Sequence, residues 1–107
     1  MEPNAIRPAD KADLAALHAA LVRLSQDLGD PHRAGAEHLR QALFAPHPSA
    51  WAQVAGGPDI LRGLVLFSPV FSTVRGGAGA YVSDFWVDKA ARGNGLGSAL
   101  LKNVAER

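Results

Sequence analysis

Asp84-Phe85-Trp86-Val87-Asp88-Lys89-Ala90-Ala91-Arg92-Gly93-Asn94-Gly95-Leu96-Gly97-Ser98 reads as a strand that enters a basic, glycine-rich turn and then opens an amphipathic helix. Such a turn suits a phosphate group. The first amides of a helix lack intrahelical acceptors and carry the positive end of its dipole, and glycines let an anion approach without a side chain in the way. A diphosphate is the natural guest. A nucleotide-binding Walker loop needs Lys and then Ser or Thr after its last glycine, whereas Leu96-Gly97-Ser98 stands there. A dinucleotide loop needs Gly-x-Gly-x-x-Gly and a later strand bearing an acidic residue; the spacing differs, and no sequence remains for that strand. A turn that serves geometry alone is the plain alternative.

Working outward from this stretch, Ala80 to Val87 is rich in aromatic and β-branched residues and predicts a strand. Ile60 to Phe71 predicts a longer one, joined by the turn Gly56-Gly57-Pro58-Asp59 to a strand over Ser49 to Ala55. Upstream, Leu14, Leu17, Leu21, Leu24 and Leu28 recur at three- and four-residue steps, which places them on one stripe of a helix capped by Asp10 and ended by Gly29-Asp30-Pro31. A shorter helix is expected over Gly35 to Phe44, with Leu39, Leu43 and Ala36 inward and Glu37, His38, Arg40 and Gln41 outward. Ala5-Ile6-Arg7-Pro8 is the first strand, stopped by its proline. Gly93 to Gly97 leads into the last helix, with Leu96, Leu100, Leu101 and Val104 on its apolar side.

The expected order is therefore β-α-α-β-β-β-α, an α/β (α+β) arrangement in one domain, as 107 residues allow. The last helix runs to Arg107 in mid-pattern, with no glycine, proline or capping signal. On this reading residues 1–107 are the N-terminal portion of a single domain that is C-terminally incomplete.

Eleven Lys and Arg against ten Asp and Glu, scattered singly, leave no nucleic-acid footprint. No apolar run approaches membrane-spanning length, and the N-terminus carries no secretory signal pattern. Cysteine is absent, which removes thiolate metal sites and cysteine nucleophiles and agrees with a cytoplasmic location. His18, His32, His38 and His47 show no ligand spacing and are read as surface or loop residues, so no metal is expected. Trp51 and Trp86 are read as packing residues.

Arg92-Gly93-Asn94-Gly95-Leu96-Gly97, after a Val-Asp strand end and before a leucine-rich helix, resembles the acetyl-CoA signature Arg/Gln-x-x-Gly-x-Gly/Ala of the Gcn5-related (GNAT) acetyltransferases. The likeness covers essentially the whole chain and implies a mixed, mostly antiparallel sheet with flanking helices. More narrowly, Tyr81 to Val87, Phe67 to Thr73 and Gly97 to Asn103 look like the spermidine/spermine (diamine) branch. That branch carries Glu-Asp where this chain has Ser83-Asp84, so the Glu role is vacant. The superfamily's acid, a tyrosine beyond the cofactor helix, falls past residue 107, and Tyr81 is on the wrong strand to replace it.

The resemblance implies that the amides of Gly93, Asn94, Gly95, Leu96, Gly97 and Ser98, in the loop headed by Arg92, hold the diphosphate of acetyl-CoA. Phe85, Trp86 and Val87 then flank the pantetheine, with the Val87 amide directed at the thioester carbonyl. It also implies a small-molecule amine acceptor. Asp84 is the candidate base, although strand alternation puts it on the opposite face from Val87. Its plain alternative is a strand carboxylate that binds a cationic substrate or an arginine. Asp27, Asp30 and Glu37 are candidate attractors for a cationic acceptor, or simply a solvated helix face. Two function classes follow: an enzyme acetylating a primary amine, polyamine- or diamine-like or another small amine, and a truncated or non-catalytic module that binds CoA weakly or acts as a homodimer through an open sheet edge.

Overall fold

Leu64-Val65-Leu66-Phe67 is buried without interruption, and the two sets of alternating side chains go to different cores. A strand apolar on both faces must lie between two layers. The computed structural model describes residues 5–29, 35–57, 60–72, 76–93 and 95–105, with 71, 72, 77 and 78 described in backbone only. Its elements are β1 (Ile6–Pro8), α1 (Leu14–Leu28), α2 (Ala36–Phe44), β2 (Trp51–Gly56), β3 (Leu61–Ser72), β4 (Gly77–Val87) and α3 (Leu96–Ala105), with short 3-10 turns at Lys11–Asp13 and Lys89–Ala91. The order matches the expected β-α-α-β-β-β-α. The four strands form one antiparallel sheet in the order β1-β2-β3-β4.

One face of the sheet carries α1 and α2. Leu17, Leu21, Leu39 and Leu43 pack there on Ala52, Val54, Leu64, Leu66 and Trp86. The other face carries α3, whose Leu96, Leu100 and Val104 pack on Ala55, Val65 and Phe67. Burying one such leucine stabilises the fold by about 1.5–3 kcal/mol. The leucine stripe of α1 holds through Leu17 and Leu21, with Leu14 and Leu24 packed at its margin, but Leu28 is 64% exposed. It lies in the last turn, beside Gly29, where the stripe has passed the sheet. Ala36 likewise proves exposed, since α2 meets β2 only through its later turns, where Leu39 and Leu43 lie.

Two local devices set the geometry. Arg7 on β1 donates two bonds of 2.7 Å to the buried Asp13 carboxylate, and its Nη2 donates also to the Gly56 carbonyl at 2.9 Å. The amide of Asp10 donates to Asp13, while the Asp10 side chain caps the turn that starts α1. This network fastens the beginning of α1 to β1 and to the end of β2. The second device is a bulge in β4. Leu66 pairs with Asp84 while Phe67 pairs with Val82, which leaves Ser83 unmatched, its hydroxyl donating to the Leu66 carbonyl at 3.3 Å. The extra residue reverses the alternation. Val82 faces the α3 side with Phe67, whereas Asp84 and Trp86 face the α1 side with Leu66 and Leu64.

Candidate acetyl-CoA site

The C-terminal end of β4 leaves backbone groups facing outward. The amide of Asp88 donates to the Arg62 carbonyl at 2.8 Å, so residues 62 and 88 form a hydrogen-bonded pair, and antiparallel alternation makes Gly63 with Val87 and Val65 with Phe85 the non-bonded pairs. The amides and carbonyls of Phe85 and Val87 therefore point away from β3. No other strand pairs with β4 among the described residues.

Immediately after this edge the chain makes the turn Lys89–Ala91 and reaches the glycine loop. Gly93 and Gly95 have φ of 88° and 85°, in the left-handed region that side chains disfavour. A Cβ on either would meet nothing within 4 Å. These glycines are therefore demanded by backbone conformation, with open space beyond them. At Gly97 the demand is close packing. A Cβ there would stand 3.1 Å from the Phe85 ring, and the ring covers the first turn of α3. At Gly63 it would stand 2.9 Å from Leu100.

Edge and loop border one open cleft of about 320 Å³, lined by Phe85, Trp86, Val87, Arg92, Gly93 and Gly97 with Leu24 of α1. The expected cofactor residues Phe85, Trp86, Val87, Arg92, Gly93 and Gly97 are thus together. Gly95, on the loop, and Ser98, in the first turn of α3, lie outside this lining, and the Leu96 side chain is 4% exposed, packed in the α3 core. Asn94 falls outside the described residues. The Trp86 side chain is only 6% exposed and belongs to the core under α1, so it borders the cleft from beneath.

Asp84 is half-buried on the α1 side of β4, beyond the lining of this cleft and on the face opposite Val87, as alternation predicts. A smaller cleft of about 230 Å³ adjoins the first through Trp86 and Arg92, and is lined also by Arg23, Gln26, Asp27, Asp88 and Lys89. Of the acidic positions proposed as attractors, Asp27 is in this lining, Asp30 lies outside the described residues, and Glu37 is paired with Arg40. Hydrogen bonding from Arg40 holds the Glu37 carboxyl below its ordinary range. Leu24 and Arg23 had no signal in the sequence as site residues, because a leucine at helical spacing reads as core and a lone arginine as surface.

The fit to acetyl-CoA rests on this chemistry: outward strand amides at Phe85 and Val87, a glycine loop whose Cβ positions are open, and the start of a ten-residue helix, all at one cleft. Among the described residues, no helix is long and apolar enough to cross a membrane.

Comparison with known proteins agrees. A search of curated proteins finds no match. Among solved structures, an integron cassette protein from the mobile metagenome of Cole Harbour Salt Marsh is similar at 28% identity and TM-score 0.79, over 94% of this chain and 67% of its own. The ribosomal-protein-alanine N-acetyltransferase of Brucella melitensis biovar Abortus 2308 shares 24% identity at TM-score 0.75, over 95% of this chain and 70% of that one. A predicted acetyltransferase of Clostridium acetobutylicum, solved with acetyl-CoA, shares 15% at TM-score 0.74, over 95% and 71%. At those last two identities the likeness is one of fold. The sequence profile of the acetyltransferase (GNAT) family matches residues 16–107, most of the chain and all of the cleft. The chain therefore belongs to the acetyltransferase (GNAT) family, the acetyl-CoA-dependent N-acetyltransferases.

Proposed function

We propose that this chain transfers the acetyl group of acetyl-CoA to a small primary amine at the C-terminal end of β4. The single observation that carries the reading is the shared cleft of outward strand amides and glycine loop. Acetyl-CoA is supported as cosubstrate by the family and by a neighbour of the same fold solved with it. By this reading the backbone from Gly93 to Ser98, Asn94 included, holds the diphosphate, while Phe85, Trp86 and Val87 flank the pantetheine. Bound acetyl-CoA supplies the activated acyl group, and the Val87 amide stabilises the charge that develops on the thioester oxygen.

The acceptor must lose a proton before it attacks, which costs an alkylammonium of ordinary pKa about 4–5 kcal/mol at pH 7. Asp84 is assigned as the base, taking that proton directly or through a water from the α1 side of β4. The amine nitrogen then bonds to the carbonyl carbon and gives up its second proton to solvent, the carbon–sulfur bond breaks, and the thiolate takes a proton from solvent. Ser83 does not fill the vacant Glu role, since its hydroxyl is bonded to the Leu66 carbonyl. In the adjoining cleft three cations, Arg23, Lys89 and Arg92, face two carboxylates, Asp27 and Asp88. This balance favours a short amine or diamine over a long polyamine. With no cysteine to require an oxidising compartment, the reading is of a cytoplasmic enzyme.

The test is incubation with acetyl-CoA and a panel of primary amines, following free thiol and N-acetylated product by mass spectrometry. Thiol release matched by product from a short amine is the expected result. No product from any amine would contradict it. A second reading, a module that binds CoA and acts as a homodimer, is supported by the β4 edge, which has β3 on one side only among the described residues.

A further inference from the structure

Arg92 heads the glycine loop, and its side chain turns back to the strand that precedes it: Nε donates to the Val87 carbonyl at 2.9 Å. That carbonyl is one of the outward groups of the β4 edge. A free strand edge offers donors and acceptors in turn. The bond engages the carbonyl of the last outward position of β4, next to its outward amide and beside the cleft that Arg92 itself lines. The bond also closes the chain between β4 and the loop, across the turn Lys89–Ala91.

We propose that Arg92 is a positioning residue, which through Nε holds the phosphate loop at a fixed distance from the edge amide of Val87. The inference rests on the acetyl-CoA reading and adds to it how the two halves of the site are kept in register. Arg92 is exposed, so the bond contributes little to folding. Its value lies in the geometry of the loop.

The atom that makes the bond gives the proposal its test. Counting from Cβ, the Nε of arginine occupies the position of the amide nitrogen in glutamine. Lysine has a carbon at that position and its ammonium one atom further out. A residue needed for its charge is replaced by lysine and not by glutamine; a residue needed for a donor at Nε is replaced by glutamine and not by lysine.

Arg92→Gln, Arg92→Lys and Arg92→Ala are compared with the wild-type chain by titration calorimetry with acetyl-CoA. Alongside, amide NMR measures exchange of the Arg92 Nε–H without ligand. The expected results are a slowly exchanging Nε–H and dissociation constants roughly tenfold weaker for the Ala and Lys variants, about what one such hydrogen bond supplies. The Gln variant is expected within about threefold of wild type, the smaller part of the same energy scale. Retention by Lys with loss by Gln would overturn the proposal in favour of a charge contact, and equal binding by all three, or equal loss in all three, would overturn it as well. If the wild-type chain bound no acetyl-CoA, the functional reading itself would fail, an outcome distinct from wild-type binding that the substitutions leave untouched.

Discussion

At Gly97 the tight spot between α3 and β4 is a glycine hydrogen facing the Phe85 ring. Gly97→Val must displace that ring or lift the first turn of α3, and overpacking of this kind costs about 1–3 kcal/mol. Thermal unfolding should report that loss, together with weaker acetyl-CoA binding, because the same ring lines the cleft. Asp84→Asn tests a different property. If Asp84 removes the acceptor's proton, kcat falls by about a hundredfold or more while KM for acetyl-CoA stays nearly constant. A fall in acceptor affinity alone would identify Asp84 as a binding carboxylate. The glycine motif was legible in the sequence because backbone conformation and helix start demand those residue types at those positions. Leu24 was not, since the leucine stripe does not say which of its members overlooks a cleft. The role of Arg92 was hidden for a related reason: a side chain that bonds a backbone carbonyl leaves no mark on the residue it bonds.

Among the elements, α1 connects a structural anchor to the site. It is fastened at its start by the Arg7–Asp13 pair and brings Arg23, Leu24, Gln26 and Asp27 to the clefts about 15–20 Å further on. Burial alone would raise the Asp13 carboxyl, and it is the largest influence. The bonds from Arg7 and from the Asp10 amide, with the Arg7 charge, together outweigh it and hold the carboxyl below its ordinary range. A carboxylate depressed in the folded state adds stability above its unfolded pKa of about 3.9, and that stability is lost as pH falls through the folded value. Denaturant unfolding should therefore show stability dropping below about pH 4, with a flatter acid slope in Asp13→Asn. At neutral pH this substitution leaves Arg7 without its carboxylate and is expected to cost about 3 kcal/mol. The helices and strands were readable from leucine spacing and from the β-branched and aromatic runs. The Ser83 bulge was not, because one unmatched residue depends on the partner strand.

The whole molecule is a sheet with α1 and α2 on one face and α3 on the other. That layering follows from β3, apolar on both of its alternating faces, and was implicit in the unbroken run Leu64-Val65-Leu66-Phe67. The Arg7–Asp13 tie was not legible, since β1 and the start of α1 meet only once the sheet has formed. The β4 edge, which among the described residues has β3 on one side only, is the feature at this scale with an outcome in solution. Pairing of two copies along it predicts a light-scattering mass near twice the 11.2 kDa of the chain. A monomer at micromolar concentration would count against the homodimer.

The most direct test of the account is titration calorimetry of this chain with acetyl-CoA, repeated with Gly95→Asp. The substitution puts a side chain on a left-handed backbone position, and a negative charge on a loop read as holding a diphosphate. Saturable binding by the wild-type chain, lost in Gly95→Asp while the variant still unfolds cooperatively, is the predicted result. Absence of binding by the wild-type chain, or equal binding by both proteins, would contradict the assignment of the cleft.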